Sequence, residues 1–251
     1  MIQELDLWIL GALNQFATRS WTADHLIGLL VNADTFKALP FVAVLSAYWL
    51  VGPDRPADRR NILSTLIGAF LAMGISRVWQ NLGPMRARPR SDSSIDFVLP
   101  HGADHDLLAS WSSFPSDTAA LSVALAAGVF LLNRRVGIAA LVWALVVVCI
   151  PRIYFGLHFA SDILGGATIG ILSVWLVVRS RFADWILRGV NVVEARWPVL
   201  FYACFMILAF QVSTYFLDLR VTGAKLAHVV SYQMSEPSPE PEAEFKTGTL
   251  P

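Results

Sequence analysis

Three residues in the second half of the chain have types and spacing suited to phosphoryl chemistry. They are Arg152, His158 and Asp162, separated by intervals of six and four positions. On a helix His158 and Asp162 share one face, so the carboxylate can hold the imidazole in one tautomer. An imidazole held in this way is a competent nucleophile or base, and a guanidinium fork matches phosphate oxygens. The alternative for the histidine taken alone is a packed residue at a membrane boundary.

A second group is a run of arginines in QNLGPMRARPR, which begins at Gln80. It contains Arg86, Arg88 and Arg90, and Arg77 lies one helical turn before Asn81. Such a cluster predicts a phosphate-binding surface, because each guanidinium group offers planar pairs of donors. Anchoring to lipid headgroups is the alternative.

A third group is the segment SSFPSDT, which ends at Thr118 and precedes an apolar run. Ser116 and Asp117 are residue types that cap a helix, and the free N–H groups of a helix N-terminus also receive anions. Taken alone, the segment predicts no more than a cap.

The elements that must position these groups are indicated by composition. Of 251 residues, 55% are hydrophobic and only 15% are charged, whereas soluble domains carry about 25% charged residues. Lys and Arg total 19, as do Asp and Glu, so no charge excess points to nucleic acid as a partner. Six apolar stretches are long enough to predict an all-α, polytopic membrane helical bundle: 35–52, 61–80, 117–132, 136–156, 162–179 and 198–217.

The two ends of the chain differ from this central part. Residues 1–31 mix apolar and polar side chains at helical spacing, which predicts an interfacial amphipathic helix. Residues 218–251 are acidic and rich in proline, which predicts a disordered tail. The transmembrane domain is therefore expected to span residues 32–217.

Orientation follows from the basic residues of the short loops. Arginines follow the first, third and fifth stretches, so these three loops are predicted to be cytoplasmic. The loop 81–116 and the turn at 157–161 then face the outside, the periplasm if the chain lies in a bacterial inner membrane. Arginine is disfavoured there, so Arg86, Arg88 and Arg90 need a functional reason.

These three groups, in this order, resemble the signatures of the type-2 phosphatidic-acid phosphatase superfamily over residues 35–180. The third signature is matched by Arg152, His158 and Asp162. The first is matched by Arg88-Pro89, with Arg86 where a second arginine is common, but Asn81 occupies its lysine position. The second reads Pro115-Ser116-Asp117-Thr118, with Thr118 in place of its histidine.

The resemblance implies a lipid phosphatase, and the sequence gives no support for a bound metal or other cofactor. It implies that His158 attacks phosphorus to form a phosphohistidine and that Asp162 orients His158. The predicted phosphate-binding residues are Arg88, Arg152, Ser116, Arg86, Arg77, Asn81 and Thr118, with Arg77 replacing the charge of the missing lysine. In the family the second-signature histidine protonates the leaving group, so its absence favours a leaving group that is already a stable anion. The expected substrate is therefore a lipid pyrophosphate, such as undecaprenyl pyrophosphate, met in an outer leaflet.

Several alternatives remain open from the sequence. His101 and His105 in the outer loop could replace the missing acid, or they could be solvated loop residues. The phosphohistidine could pass its phosphoryl group to a hydroxyl group instead of water, which would make the protein a phosphotransferase. A catalytically impaired homologue that binds polyprenyl phosphates is the alternative from another class.

Overall fold

A computed structural model describes residues 2–103 and 111–214 of the chain. Within these ranges the regular structure is helical, and no strand occurs. The helices are α1 (Ile2–Asn14), α2 (Trp21–Asn32), α3 (Asp34–Val51), α4 (Arg55–Leu82), α5 (Asp117–Leu132), α6 (Arg134–Tyr154), α7 (Ala160–Arg179), α8 (Phe182–Arg196) and α9 (Pro198–Ser213). The predicted all-α class is confirmed, and each predicted apolar stretch falls on a helix.

Four of these helices, α3, α4, α6 and α7, are long and apolar enough to cross a membrane. The helices α5 and α9 are apolar but only 16 residues long. The apolar surface of the bundle is that of an integral membrane protein. Six membrane crossings remain a prediction, because four of the described helices have the length and composition needed to cross a membrane.

The centre of the bundle is α5, which packs against both α4 and α7. Most of α5 is buried, and small side chains line its contacts. Gly128 is one example: a Cβ atom there would lie 2.0 Å from the Thr65 side chain on α4. Small residues allow helices to approach closely where lipid offers no hydrophobic driving force.

Helix α6 is interrupted shortly before the third signature. A widened π turn spans Ala144–Cys149, and Pro151 follows. Proline has no N–H to donate to the preceding turn, so one helical hydrogen bond is missing here. Arg152 therefore stands on the last α-helical turn, directly after this interruption.

The N-terminal segment forms two helices, and the buried face of α1 is unexpected. Asp6, Leu10 and Asn14 are spaced four residues apart and are all buried, whereas Trp8 is 71% exposed. Leu10 packs into a cluster with side chains of α5, α6 and α7. The helix thus turns polar residues inward, where they bond to the rest of the domain.

The basic segments that follow the first and fifth predicted stretches meet at one end of the bundle. Arg59 pairs bidentately with Glu194 at 2.6 and 2.9 Å, and Arg60 bonds Asp184 and the Val178 carbonyl. The prediction of a loop over residues 180–197 is wrong, because α8 occupies most of this segment. The predicted boundaries at residues 31 and 217 stay predictions, and the tail 218–251 lies outside the described residues.

Candidate active site

His158 lies in the five-residue turn that joins α6 to α7. The turn requires Gly156, whose φ of +63° is the left-handed region that favours glycine. A Cβ atom there would also lie 2.6 Å from the Phe97 ring. The imidazole is therefore placed by a turn that few other sequences could form.

The hydrogen bonds of His158 define its reactive nitrogen. Its Nδ1 lies 2.8 Å from the Ser113 carbonyl oxygen, which can only accept, so Nδ1 carries the proton. Its Nε2 then carries the lone pair and lies 3.5 Å from Arg88 Nη1. The Asp162 carboxylate is 3.8 Å from Nδ1, beyond hydrogen-bond distance but close enough to act through its charge. The Ser113 carbonyl thus fixes the tautomer, and Asp162 supplies negative charge beside it.

His158 is neutral near physiological pH. Burial holds the pKa of its imidazole below the usual range, and the charges of Arg88 and Arg152 act in the same direction. The negative charge of Asp162 opposes this shift without reversing it. A neutral imidazole with its Nε2 lone pair beside a guanidinium group suits nucleophilic attack on an anionic phosphorus centre.

Arg88 is buried beside His158. Its Nη1 donates to the Leu157 carbonyl at 2.8 Å, and its Nη2 lies 3.4 Å from the Ser112 carbonyl. Burial lowers the pKa of the Arg88 guanidinium to about 10, and the nearby charge of Asp117 opposes the shift. The side chain remains a cation at neutral pH and keeps one fixed orientation.

Asp162 joins α5 to α7 at the site. Its Oδ2 accepts from the Phe159 backbone N–H at 2.8 Å, which caps α7. Its carbonyl oxygen accepts from the Ser116 N–H at 3.1 Å, and the Ser116 hydroxyl in turn accepts from the Ala119 N–H as the N-cap of α5. Two predicted residues of different signatures, Asp162 and Ser116, are therefore in direct contact.

Arg86 is held by carboxylates. Its Nη1 lies 2.5 Å from Asp162 Oδ1 and 2.8 Å from the Ser161 hydroxyl, and its Nη2 lies 2.7 Å from Asp6 Oδ2. The guanidinium group also stacks over the Phe159 ring at 4.3 Å. Both of its terminal nitrogens therefore already have protein partners.

Two buried donors near His158 have no hydrogen-bond partner among the described residues. They are Nε of Arg152 and the hydroxyl of Ser113. A buried donor without a partner is costly, and a bound oxyanion or water relieves that cost. These donors are what a phosphate-binding site would present.

The other predicted phosphate ligands lie at the edge of this cluster. Arg77 pairs with Asp117 at 2.7 Å and stacks over Trp111. Asn81 is exposed, and its amide donates to the Arg77 carbonyl of its own helix. Thr118 is buried and donates its backbone N–H to Asp117. Arg77 therefore carries its charge toward the second signature, while the Asn81 side chain remains on its own helix.

The two candidate loop histidines differ in what can be said of them. Nδ1 of His101 lies 2.7 Å from Oδ2 of the buried Asp24, whose other oxygen accepts from the Tyr154 hydroxyl. His101 is thus engaged with α2, at a place other than the His158 cluster. His105 lies outside the described residues.

Sequence reasoning did not single out Asp6 or Ser113 as site residues. Ser113 lies three residues before Ser116 in the segment SSFPSDT. Its role depends on its backbone carbonyl, which every residue type has, so the sequence could not indicate it. The signal for Asp6 was its place in a helical pattern that mixes apolar and polar side chains. Only the fold shows that this carboxylate reaches α7.

Comparisons with known proteins agree with this geometry. Residues 84–186 match the model of the PAP2 superfamily. Undecaprenyl-diphosphatase BcrC of Bacillus subtilis (strain 168) is 26% identical over 163 residues, which cover 63% of this chain and 76% of that protein. The putative undecaprenyl-diphosphatase YbjG of Escherichia coli (strain K12) is 28% identical over 176 residues, 68% of this chain and 80% of that protein. No solved structure matches the chain. These findings confirm the predicted resemblance and the predicted enzyme class, a phosphatase hydrolase.

Proposed function

Since residues 84–186 match the PAP2 superfamily and enclose the His158 cluster, we propose that this protein hydrolyses a polyprenyl pyrophosphate, such as undecaprenyl pyrophosphate, through a phosphohistidine. The observation that carries the proposal is the arrangement of His158. Its Nδ1 is bonded to the Ser113 carbonyl, and its Nε2 faces Arg88. Two relatives whose names specify undecaprenyl diphosphate support the substrate class.

In the first step, His158 Nε2 attacks the terminal phosphorus. The N–P bond forms as the bond to the bridging oxygen breaks, and the electron pair leaves with the lipid monophosphate. Arg88 and Arg152 neutralise charge on the non-bridging oxygens, where preorganised donors act most strongly. The proton on Nδ1 remains in its hydrogen bond to the Ser113 carbonyl oxygen. This hydrogen bond stabilises the positive charge that develops on the ring.

In the second step, water attacks phosphorus and displaces His158 Nε2, so inorganic phosphate leaves. The water loses one proton to bulk solvent or to phosphate oxygen, and the imidazole returns neutral. This second step distinguishes a hydrolase from a phosphotransferase, in which a lipid or sugar hydroxyl group would replace water.

The choice of a pyrophosphate over a monophosphate rests on the leaving group. Thr118 has no proton to give near neutral pH, and its neighbour Asp117 is paired with Arg77. A general acid contributes about 10²–10⁴-fold when the leaving group is a poor one, such as an alkoxide. A phosphate leaves as a stable anion and needs this help far less.

Arg59 and Arg60 lie near the start of α4. If this end of the bundle faces the cytoplasm, the site lies at the level of the outer leaflet. These residues meet α8, at the opposite end of the 28-residue α4 from Arg86 and Arg88. The positive-inside tendency then assigns the site to the periplasmic side of a bacterial inner membrane.

The test is to trap the intermediate. Purified protein in detergent is mixed with pyrophosphate lipid labelled at the terminal phosphorus and quenched in base, which preserves a phosphohistidine. We expect label on His158 and none in His158→Ala, while His25→Ala serves as the matched histidine control. Release of phosphate without labelled protein on any timescale would contradict the covalent step, and labelled protein that discharges only to an added alcohol would indicate a phosphotransferase.

A further inference from the structure

The carboxylate of Asp6 on α1 is buried in the site region, although α1 lies outside residues 84–186. Its Oδ1 accepts from the Ser161 N–H at 2.8 Å. Its Oδ2 accepts from the Ser161 hydroxyl at 2.6 Å and from Arg86 Nη2 at 2.7 Å. The residue is 2% exposed. A buried carboxylate with three donors is a fixed negative charge, because the donors offset its loss of hydration.

Arg86 connects this carboxylate to Asp162. Its Nη1 bonds Asp162 at 2.5 Å while its Nη2 bonds Asp6, so one guanidinium group bridges two buried carboxylates. The Arg86 side chain is 32% exposed and borders a groove next to α1, so it has space to swing away. Asp6 is what restrains it on the groove side.

Asp162 connects Arg86 to the electrostatic environment of His158. Its charge lies 3.8 Å from His158 Nδ1 and favours the charged imidazole, whereas an Arg86 held against it cancels much of that effect. Among the described residues, the other charged groups around the imidazole are Arg88, Arg152 and Asp117. The described bonds of Asp6 go to Arg86 and Ser161. The route from Asp6 to the imidazole therefore runs through Arg86.

We propose that Asp6 is a positioning residue of this site: it clamps Arg86 against Asp162 and fixes Ser161 at the start of α7. Helix α1 is then part of the catalytic unit. On this account Arg86 acts by neutralising Asp162, whereas Arg88 and Arg152 receive the phosphate. The catalytic consequence rests on the proposed function, but the electrostatic consequence does not.

The first test is the titration of His158 in the full-length protein, followed by NMR of its labelled imidazole in detergent. Asp6→Asn keeps an acceptor for the Ser161 N–H but loses the charge that holds Arg86. If Arg86 is then released, Asp162 becomes unneutralised, and the pKa of His158 rises. If Asp6 is only one more negative charge near the site, its removal lowers the pKa of His158 instead. A fall or no change overturns the proposal.

Two further variants keep this test decisive. Ser161→Ala removes one hydroxyl that contacts both Asp6 and Arg86. We expect it to raise the pKa of His158 by less than Asp6→Asn does. This variant tests the proposal if Asp6→Asn does not fold. Leu10→Ala loosens α1 from the same face without touching the carboxylate, so we expect a lower melting temperature and an unchanged His158 titration. A rise in Leu10→Ala equal to that in Asp6→Asn would reduce Asp6 to an anchor of α1 and overturn the proposal.

The second test measures turnover of the pyrophosphate lipid. Misplacement of a catalytic group by about 1 Å costs up to about 10²-fold, so we expect kcat of Asp6→Asn to fall about tenfold or more while KM changes less than about twofold. In an Arg86→Gln background the same substitution is expected to have no further effect. Independent, multiplying losses would overturn the route through Arg86. An inactive wild-type protein would refute the proposed function, while the titration would still decide the role of Asp6.

Discussion

Gly166 on α7 offers a sharp test of how helix packing sets the site. A Cβ atom at this position would lie 2.2 Å from the Ser116 carbonyl oxygen and 3.1 Å from the Ala120 nitrogen, both backbone atoms of α5. Ordinary contact begins near 3.4 Å, so Gly166→Ala requires α5 and α7 to separate by about 1.2 Å. No flexible side chain can absorb this change.

The size of the effect follows from what this contact holds. Overpacking costs about 1–3 kcal/mol, and replacing a helical glycine by alanine returns about 0.5–1 kcal/mol, so the net loss of stability is modest. The Ser116 N–H bonds the Asp162 carbonyl at 3.1 Å, and a separation of this size breaks that bond. A displacement of about 1 Å at a catalytic group costs about 10²-fold in rate. We therefore expect Gly166→Ala to fold with a slightly lower melting temperature and to lose about 99% of its activity.

The assay is phosphate release by detergent-purified protein beside its thermal melting curve. Gly74→Ala is the matched control, since a Cβ atom there meets nothing within 4 Å. We expect this control to be as stable as the wild type or slightly more stable and to be fully active. A Gly166→Ala protein with wild-type activity would refute the reasoning, because it would show that the α5–α7 spacing does not set the site.

Three further predictions follow from charges. Burial and the charge of Arg88 hold the pKa of His158 below its usual value. We therefore expect kcat/KM to remain constant as the pH falls to about 6.5 and to decline only at lower pH. A decline of kcat/KM centred above about pH 6.5 would contradict a neutral nucleophile. Burial alone would raise the pKa of Asp24, but its hydrogen bonds, including one from His101, keep that pKa below the usual value. Asp24→Asn should therefore lose about 2 kcal/mol of stability at neutral pH by thermal melting, and this difference should shrink as acidification below about pH 4 protonates the wild-type carboxylate. Arg77→Gln leaves the Asp117 carboxylate uncompensated and should raise KM about tenfold, with partial recovery in Arg77→Lys; an unchanged KM would remove Arg77 from the phosphate site.

The sequence predicts the apolar helices of the bundle well because each of them is encoded locally. A run of apolar residues is sufficient to specify a membrane helix, so all six predicted stretches fall on helices. Helix α8 was missed because its apolar residues are separated by charges, such as Asp184 and Glu194, that pair with α4 only in the fold. The inward turn of Asp6 and Asn14 was missed for the same reason, since their partners lie about 80 or more positions away.

The site was predictable to the extent that side-chain identity carries the chemistry. The spacing of His158 and Asp162 predicted a shared helix face, which is wrong, because His158 lies in the turn before the helix that carries Asp162. The two side chains still meet at 3.8 Å, and they lie beside the predicted Arg88 and Ser116. The residue that fixes the tautomer is Ser113, acting through its backbone carbonyl, which any residue type possesses. Such contacts follow from the meeting of a loop and a turn rather than from a pattern along the chain.

The most direct test of the central claim is phosphate release from undecaprenyl pyrophosphate and from a long-chain lipid monophosphate, measured side by side. We compare wild-type protein, His158→Ala and the control His25→Ala at equal concentration. Their melting temperatures are measured first, so that a loss of activity is not a loss of folding. We expect release from the pyrophosphate by wild type and control, a loss of at least about 10³-fold in His158→Ala, and turnover of the monophosphate at least about 10²-fold slower. Release that persists in His158→Ala would contradict the nucleophile, and equal turnover of the two lipids would contradict the argument from the leaving group.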